Sequence, residues 1–355
     1  MQKVIAKIYL HHIRQNAEKF RALTNKRLYA VVKANAYGHG AEETVNALEG
    51  VVDGFAVALV EEALAIRTAA CGKEILVLTP PCREEETLAL AENGFSACVP
   101  DLWTAKLLVS VCEKYHLTAH AHLKVNTGMN RYGMERAEFQ ETCAFLCRSA
   151  YVHVVGVFSH LYCTDEHNAY LQRARFLEMQ ALGKRYFPDA TFHLSATFGA
   201  LLGKEFLFDG VRIGIGLYGY LPDGISETLR LRGEGLKLQK AMTVYAMTME
   251  SKRVYYGGVG YGKPCSEKEF ASLNPVYVCR YGYADGFLRA KENGVDGWEN
   301  HANNLCMDAC IRTGRAVRGE SIAIMTDAER TAKQTGTIAY EVLCSATRRA
   351  EFIYE

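Results

Sequence analysis

The run Val31-Val32-Lys33-Ala34-Asn35-Ala36-Tyr37-Gly38-His39-Gly40 sets a lysine directly after two β-branched residues. If those residues close a buried strand, the ammonium emerges where burying charge is costly. The same cost depresses an amine's pKa and turns it into an imine-forming nucleophile. Gly38 and Gly40 let the backbone turn closely around a ligand, with Tyr37 near enough to reach it. A single lysine at a strand end is a solvated loop residue more often than a nucleophile. The whole run from Lys33 to Gly40 is far more specific.

Other candidates follow along the chain. Leu123-Lys124-Val125-Asn126-Thr127-Gly128-Met129-Asn130-Arg131-Tyr132-Gly133 carries two cations after a strand-like segment, and His160 ends Val157-Phe158-Ser159-His160. Thr197 closes His193-Leu194-Ser195-Ala196-Thr197, and Arg212 lies in Val211-Arg212-Ile213-Gly214-Ile215-Gly216-Leu217-Tyr218-Gly219. Tyr261 sits between Gly260 and Gly262, Tyr283 in Gly282-Tyr283-Ala284-Asp285-Gly286, Met307 between Cys306 and Asp308, and Tyr340 in Ala339-Tyr340-Glu341-Val342. Taken singly these have plainer readings. Lys124 and Arg131 read as surface charges, His160 as a satisfied structural histidine, Arg212 as half of a salt bridge, and Tyr261 as an ordinary turn residue.

Together, in this order, the motifs resemble the alanine racemase family across nearly the whole chain. The resemblance implies a pyridoxal 5′-phosphate enzyme that interconverts L- and D-alanine and supplies D-alanine for peptidoglycan. It implies that Lys33 holds the cofactor as an imine and that Tyr37, Thr197, Tyr340 and the backbone amides of Gly214 and Ile215 bind its phosphate. Arg131 would approach the cofactor's 3′-oxygen and the substrate carboxylate. Lys124 matches a lysine often carbamylated in the family, an anion that then orients the arginine. Tyr261 would be the second base, opposite Lys33, because racemisation needs bases on both faces of a planar carbon. His160 would link Tyr261 to Arg212 and help lower a phenol from its usual pKa of about 10. Tyr283 and Met307 match the elements of substrate access and carboxylate binding.

The resemblance further implies a head-to-tail homodimer, with Tyr261, Tyr283 and Met307 acting on the neighbouring subunit's barrel. Two departures stand out: Ala196 replaces the family's usual asparagine, and Asp296–Asn304 replaces its usual apolar strand.

Arg212 bears on mechanism. Enzymes that need a strong electron sink set a carboxylate against the pyridine nitrogen. A guanidinium holds its own proton, leaves that nitrogen unprotonated, and disfavours drift into transamination. A barrel-type decarboxylase would ordinarily carry an acid there. A non-catalytic carrier of the same cofactor would usually stop after the barrel, whereas a further segment holding Tyr261 follows here. A serine racemase of the same family differs by little in these motifs, though membrane spans often precede it.

These residues need elements to position them. Strand candidates Tyr29–Val32, Phe55–Ala58, Ile75–Leu78, Ser96–Val99, His120–Val125, Val152–Phe158, Phe192–Leu194 and Val211–Ile215 alternate with amphipathic runs. The latter, Glu42–Leu48, Glu61–Ala70, Glu84–Glu92, Leu102–Glu113, Ala137–Cys147 and Asn168–Tyr186, repeat apolar residues at three and four. Strand then helix, about eight times over, is the pattern of a (β/α)8 TIM-type barrel, with an open doubly wound sheet as the alternative. After about residue 225 the texture becomes strand and turn: Ala241–Met249, Pro275–Val278, Ala309–Arg312 and Ser321–Met325, with a short helix near Asp327–Gln334. The expected domains are a cofactor-binding barrel over 9–225 and a mostly β C-terminal domain over 226–355, joined by the strand-like Val4–Tyr9.

Bulk properties exclude other classes. The 355 residues carry a net charge of +1 without a long basic run, which leaves no electrostatic footprint for nucleic acid. No stretch approaches the roughly 20 apolar residues of a membrane span. Met1–Leu10 lacks the apolar core of a signal peptide. The twelve cysteines are spread along helical and strand-like runs, so reduced thiols and a cytoplasmic setting are expected. Cys143/Cys147 and Cys306/Cys310 lack the companions of a metal site, and none is expected.

Overall fold

The computed structural model describes residues 4–261, 264–273, 275–287, 289 and 305–355. Its contacts divide the chain into two units: His12–Ala36 with Ala41–Gln239, and Met1–His11 with Tyr37–Gly40 and Lys240–Glu355. Gly262 and the stretch 296–304 lie outside the described residues.

After β1 (Val4–Ile8), which belongs to the second unit, the next eight strands are parallel and close on themselves in chain order. They are β2 (Arg27–Val31), β3 (Gly54–Val57), β4 (Glu74–Val77), β5 (Ser96–Val99), β6 (Ala119–Lys124), β7 (Val152–Phe158), β8 (Thr191–His193) and β9 (Gly210–Ile213). β9 pairs back onto β2, with Tyr29 opposite Arg212. This is the expected barrel.

Local chemistry explains the helices between the strands. In Leu102–Tyr115 the Asp101 carboxylate accepts the Thr104 N–H at 2.7 Å and starts the helix. Ala105, Leu108, Val111 and Cys112 are buried along one face, and left-handed His116 (φ 55°) ends it. Asp165 likewise caps Glu166–Gly183 by accepting from Asn168 N at 2.7 Å.

In the second unit the sheet runs in the order β12 (Cys310–Thr313), β11 (Val276–Cys279), β10 (Met242–Lys252), β1, β14 (Ala350–Tyr354), with β13 (Ser321–Met325) also on β10. The long β10 divides its length among β1, β13 and β11, and its ladders with β13 and β11 each contain a register shift. The expected strands and the helix Ala328–Thr335 are present, and Val4–Ile8 joins this sheet. Elements outside the expectations include helix Leu10–Thr24, which buries Ile13, Ala17 and Phe20, helices Glu227–Gly235, Glu267–Leu273 and Ala339–Ser345, and β14, whose parallel partner β1 is at the other end of the chain. Among the described residues no helix is long and apolar enough to cross a membrane.

One local feature goes against ordinary backbone preference. The helical turn Lys33–Gly38 after β2 is wound left-handed: φ is 53° at Ala34, 53° at Asn35, 54° at Ala36 and 52° at Tyr37. Side chains other than glycine oppose this hand at roughly 1–2 kcal/mol per residue. The turn is held by Ala36 N–H donating to Val32 O at 2.8 Å and by Ala34 N–H donating to Glu62 Oε1 at 2.7 Å. Because Ala34 is exposed, its side chain adds little packing to offset the strain. Ala34→Gly should therefore hold or raise stability, whereas the β-branched Ala34→Val should lose about 1 kcal/mol or more in urea unfolding. Equal losses for both would mean the turn is not strained.

Candidate active site

Parallel strands bring all their C-terminal ends to one rim, where barrel chemistry sits. Lys33 follows β2, Lys124 ends β6, His160 follows β7, Thr197 follows β8, and Arg212 lies in β9 just ahead of Gly214 and Ile215. The structure brings several of these together. Burial, and then the charges of Arg212, Lys124, Arg131 and Lys33, which all lie close enough to act on it, hold the His160 pKa well below the usual histidine value. His160 is neutral at physiological pH.

Arg212 is buried, and its guanidinium is surrounded by acceptors. Nη2 donates to Ser159 O at 2.6 Å and Leu194 O at 3.1 Å, with His160 Nδ1 at 3.4 Å. Nη1 donates to His193 Nδ1 at 2.6 Å and His193 O at 3.1 Å. Burial lowers its pKa to about 10, which leaves it charged. Phe158 lies beneath two cations, Lys124 Nζ at 4.7 Å and Arg212 Cζ at 5.2 Å from the ring centre.

Lys124 is buried rather than a surface charge. Desolvation and then the Arg212 charge, with Arg131 adding, lower its pKa to about 7. A substantial share of it is the free amine at neutral pH. Arg131 is exposed, its guanidinium 5.9 Å from the Tyr132 ring centre.

Beyond β8, Thr197 Oγ1 accepts from Gly216 N at 3.3 Å and so ties the two loops together. Ala196 sits at the N-cap of Thr197–Leu202 and makes no side-chain cap bond. Strand β9 stops at Ile213, and a short 3-10 turn, Ile215–Tyr218, follows. The leading amides of such a turn have no partner within it, and that of Gly216 finds one in Thr197.

In the second unit the Tyr37 and Tyr340 rings lie 5.9 Å apart. Tyr283 N–H donates to Cys306 O at 3.2 Å and Ala284 N–H to Met307 O at 3.0 Å, which sets Tyr283 beside Met307. Gly282 is required there, because a Cβ would lie 2.2 Å from Met307 O. Tyr261, Tyr283 and Met307 are all exposed.

Known proteins resemble the chain over nearly its whole length. Profiles of the alanine racemase N-terminal and C-terminal domains match residues 8–222 and 241–354. The chain belongs to the alanine racemase family. Relatives named alanine racemase include one from Streptococcus uberis, 31% identical over 368 residues and covering 97% of this chain and 96% of its own. One from Clostridium perfringens is 32% identical over 384 residues, covering 100% and 96%. Among solved structures, alanine racemase from a D-cycloserine-producing Streptomyces lavendulae aligns with TM-score 0.87 at 28% identity, over 100% of this chain and 97% of that one. The Bartonella henselae alanine racemase, solved with covalently bound pyridoxal phosphate, aligns with TM-score 0.82 at 25% identity over 100% of both chains.

Membership in the alanine racemase family gives the rim its context, but motif reading passes over what lies beneath it. Below Arg212 the barrel interior holds His193, His122, Glu74 and Tyr29, each in hydrogen-bond contact with the next or with Glu74. The available signal was polar residues at alternate positions of strands otherwise apolar, such as His122 in β6 and Glu74 in β4.

Lys124 yields a test on the protein without cofactor, in buffer free of carbon dioxide. Its pKa falls from an ordinary 10.5 to about 7 on folding. Between those values the unfolded chain binds more protons than the native one, so this lysine's penalty on stability is full below pH 7 and fades toward pH 10.5. Lys124→Met should stabilise relative to wild type by a few kcal/mol near pH 7, and that gain should shrink steadily on raising the pH. A difference independent of pH would mean that Lys124 is not desolvated.

Proposed function

We infer that this chain interconverts L- and D-alanine with pyridoxal 5′-phosphate, and that its product D-alanine feeds cell-wall peptidoglycan. The observation that carries the reading is Arg212: a buried guanidinium, hydrogen-bonded through both Nη atoms, at the end of a barrel strand, in the same cluster as Lys33, where an electron-sink enzyme would need an acid. The residues suit the cofactor. Lys33 supplies an amine, while Arg131 and Arg212 make the rim cationic, which favours a phosphate and a substrate carboxylate.

When bound, the cofactor supplies an electron-withdrawing ring that acidifies the α-proton. Lys33 binds it and moves the proton on one face, and Tyr261 moves it on the other. Arg212 would face the ring nitrogen as a donor and leave it unprotonated. His160, neutral beside Arg212, orients the phenol of Tyr261. Arg131 and Met307 position the substrate carboxylate, and Tyr283 narrows access. Thr197 and the amides of Gly214 and Ile215 would hold the phosphate, the role the family resemblance also gives Tyr37 and Tyr340. Lys124 takes up carbon dioxide as a carbamate, a reaction that requires the neutral amine its lowered pKa supplies. The resulting anion would orient Arg131.

The working form is a homodimer with shared sites. In support, Tyr261 is 67%, Tyr283 37% and Met307 52% exposed on the single chain, as groups completed by a second copy would be. The cytoplasm suits cysteines spread through helices and strands rather than packed into a small scaffold.

A chiral assay of the purified protein, with and without added cofactor, should show racemisation of alanine in preference to serine. Tyr261→Phe should cut that rate severely while the absorbance of bound cofactor persists, and it should suppress α-deuterium exchange from one enantiomer far more than from the other. Equal exchange from both would place the second base elsewhere.

Complementation tests the assembly. Inactive Lys33→Ala and Tyr261→Ala subunits, mixed and allowed to exchange, should regain roughly a quarter of wild-type activity, because half the dimers are mixed and each has one intact site. If both residues come from one chain, mixing restores nothing.

A further inference from the structure

Arg212 is one end of a hydrogen-bonded chain that crosses the barrel interior. Its Nη1 lies 2.6 Å from His193 Nδ1, His193 Nε2 lies 2.9 Å from His122 Nδ1, and His122 Nε2 lies 2.6 Å from Glu74 Oε1. Tyr29 Oη and Ser96 Oγ also donate to Glu74, each at 2.8 Å. Both imidazoles are fully buried.

The two ends decide every proton between them. A guanidinium only donates, so His193 Nδ1 must accept. A ring accepting at Nδ1 carries its proton on Nε2, so His193 donates to His122 Nδ1. His122 then carries its own proton on Nε2 and donates to Glu74, which only accepts. Reversing any link leaves two donors or two acceptors facing each other in a buried site, at a cost of about 1–3 kcal/mol.

The backbone is shaped to admit this chain. A register shift in the β6–β7 ladder sets Gly156 opposite His122, and a Cβ at Gly156 would lie 2.2 Å from His122 Nδ1. His193 is itself stacked on Tyr29, 5.4 Å between ring centres, and on Phe158 at 5.2 Å.

We propose that Glu74 is a positioning residue for the racemase: through His122 and His193 it fixes the direction of proton donation, keeps His193 Nδ1 an acceptor for Arg212, and thereby holds the guanidinium in place toward the cofactor ring. This rests on the reading of Arg212 given above. Burial works to raise the pKa of Glu74, but the hydrogen bonds it accepts from His122, Ser96 and Tyr29 hold it below the ordinary carboxylate value, so the anchor stays ionised. The other titratable groups facing the chain are Arg27 on β2, Cys98 on β5, Lys124 on β6 and His160 after β7.

The test uses wild type, Glu74→Gln and Ser96→Ala as holoenzymes. Imidazole nitrogen NMR of wild type should show His122 and His193 both protonated at Nε2 only. Glu74→Gln should move the pH midpoint of the cofactor absorbance band and lower kcat about tenfold with KM changed less than about twofold. Ser96→Ala removes a bond to the same Glu74 oxygen but lies outside the chain, so it should stay within about twofold of wild type. A proton on Nδ1 of either histidine overturns the proposal, and that measurement needs no variant to fold. So does a Glu74→Gln enzyme with wild-type band titration and kcat, or a Ser96→Ala enzyme equally impaired. Absence of racemisation in wild-type holoenzyme would instead sink the functional reading beneath it.

Discussion

The barrel is organised around a buried positive charge. Removing a guanidinium from water costs several kcal/mol even after the protein relaxes, and Arg212 meets that cost with carbonyls at the ends of neighbouring strands and a histidine ring. Those carbonyls, at Ser159, His193 and Leu194, lie where β7 and β8 leave the barrel wall. Closure of the parallel sheet is what gathers them around one side chain.

The charge propagates outward and inward. Outward, it adds to the burial that keeps His160 neutral and lowers the Lys124 pKa to about 7, so desolvation and one fixed cation together prepare two neighbours for different work. Inward, it requires an acceptor from His193, and that requirement passes along the rings to Glu74. The interior that results is polar and aromatic where barrels are usually filled by branched aliphatic residues. Gly54 and Gly156 complete it by leaving room for Tyr29 and His122: a Cβ at Gly54 would come within 3.0 Å of the Tyr29 ring.

The second unit obeys a different constraint. Its sheet is assembled from segments distant in sequence, with β1 between β10 and β14. Its loop Gly282–Gly286 is fixed by backbone contacts with Cys306 and Met307 and by Asp285 accepting from Gly282 N at 2.8 Å. These bonds hold backbone, and leave the Tyr283 and Met307 side chains presented at the surface.

Much of this was legible in the chain itself. The strand–helix alternation identified the barrel because period two and period 3.6 are local properties that burial enforces residue by residue. Lys33, His160 and Arg212 stood out because charged or titratable groups at strand ends are chemically expensive there. Other features depend on partners that no local pattern names. Lys124 and Arg131 look alike in sequence, yet one is buried with a lowered pKa and the other exposed, since only barrel closure decides which way each points. The left-handed hand of Lys33–Gly38 was hidden for the same reason: Ala34, Ala36 and Tyr37 have no local preference for it, and the Glu62 carboxylate helps to hold it. The pairing of β1 with β14 and the Glu74–His122–His193–Arg212 chain join residues from separate strands. Residue types and their spacing determined the chemistry available to this protein. Tertiary structure alone decided which groups are desolvated together, because burial and hydrogen-bond direction belong to the closed barrel and not to any segment of it.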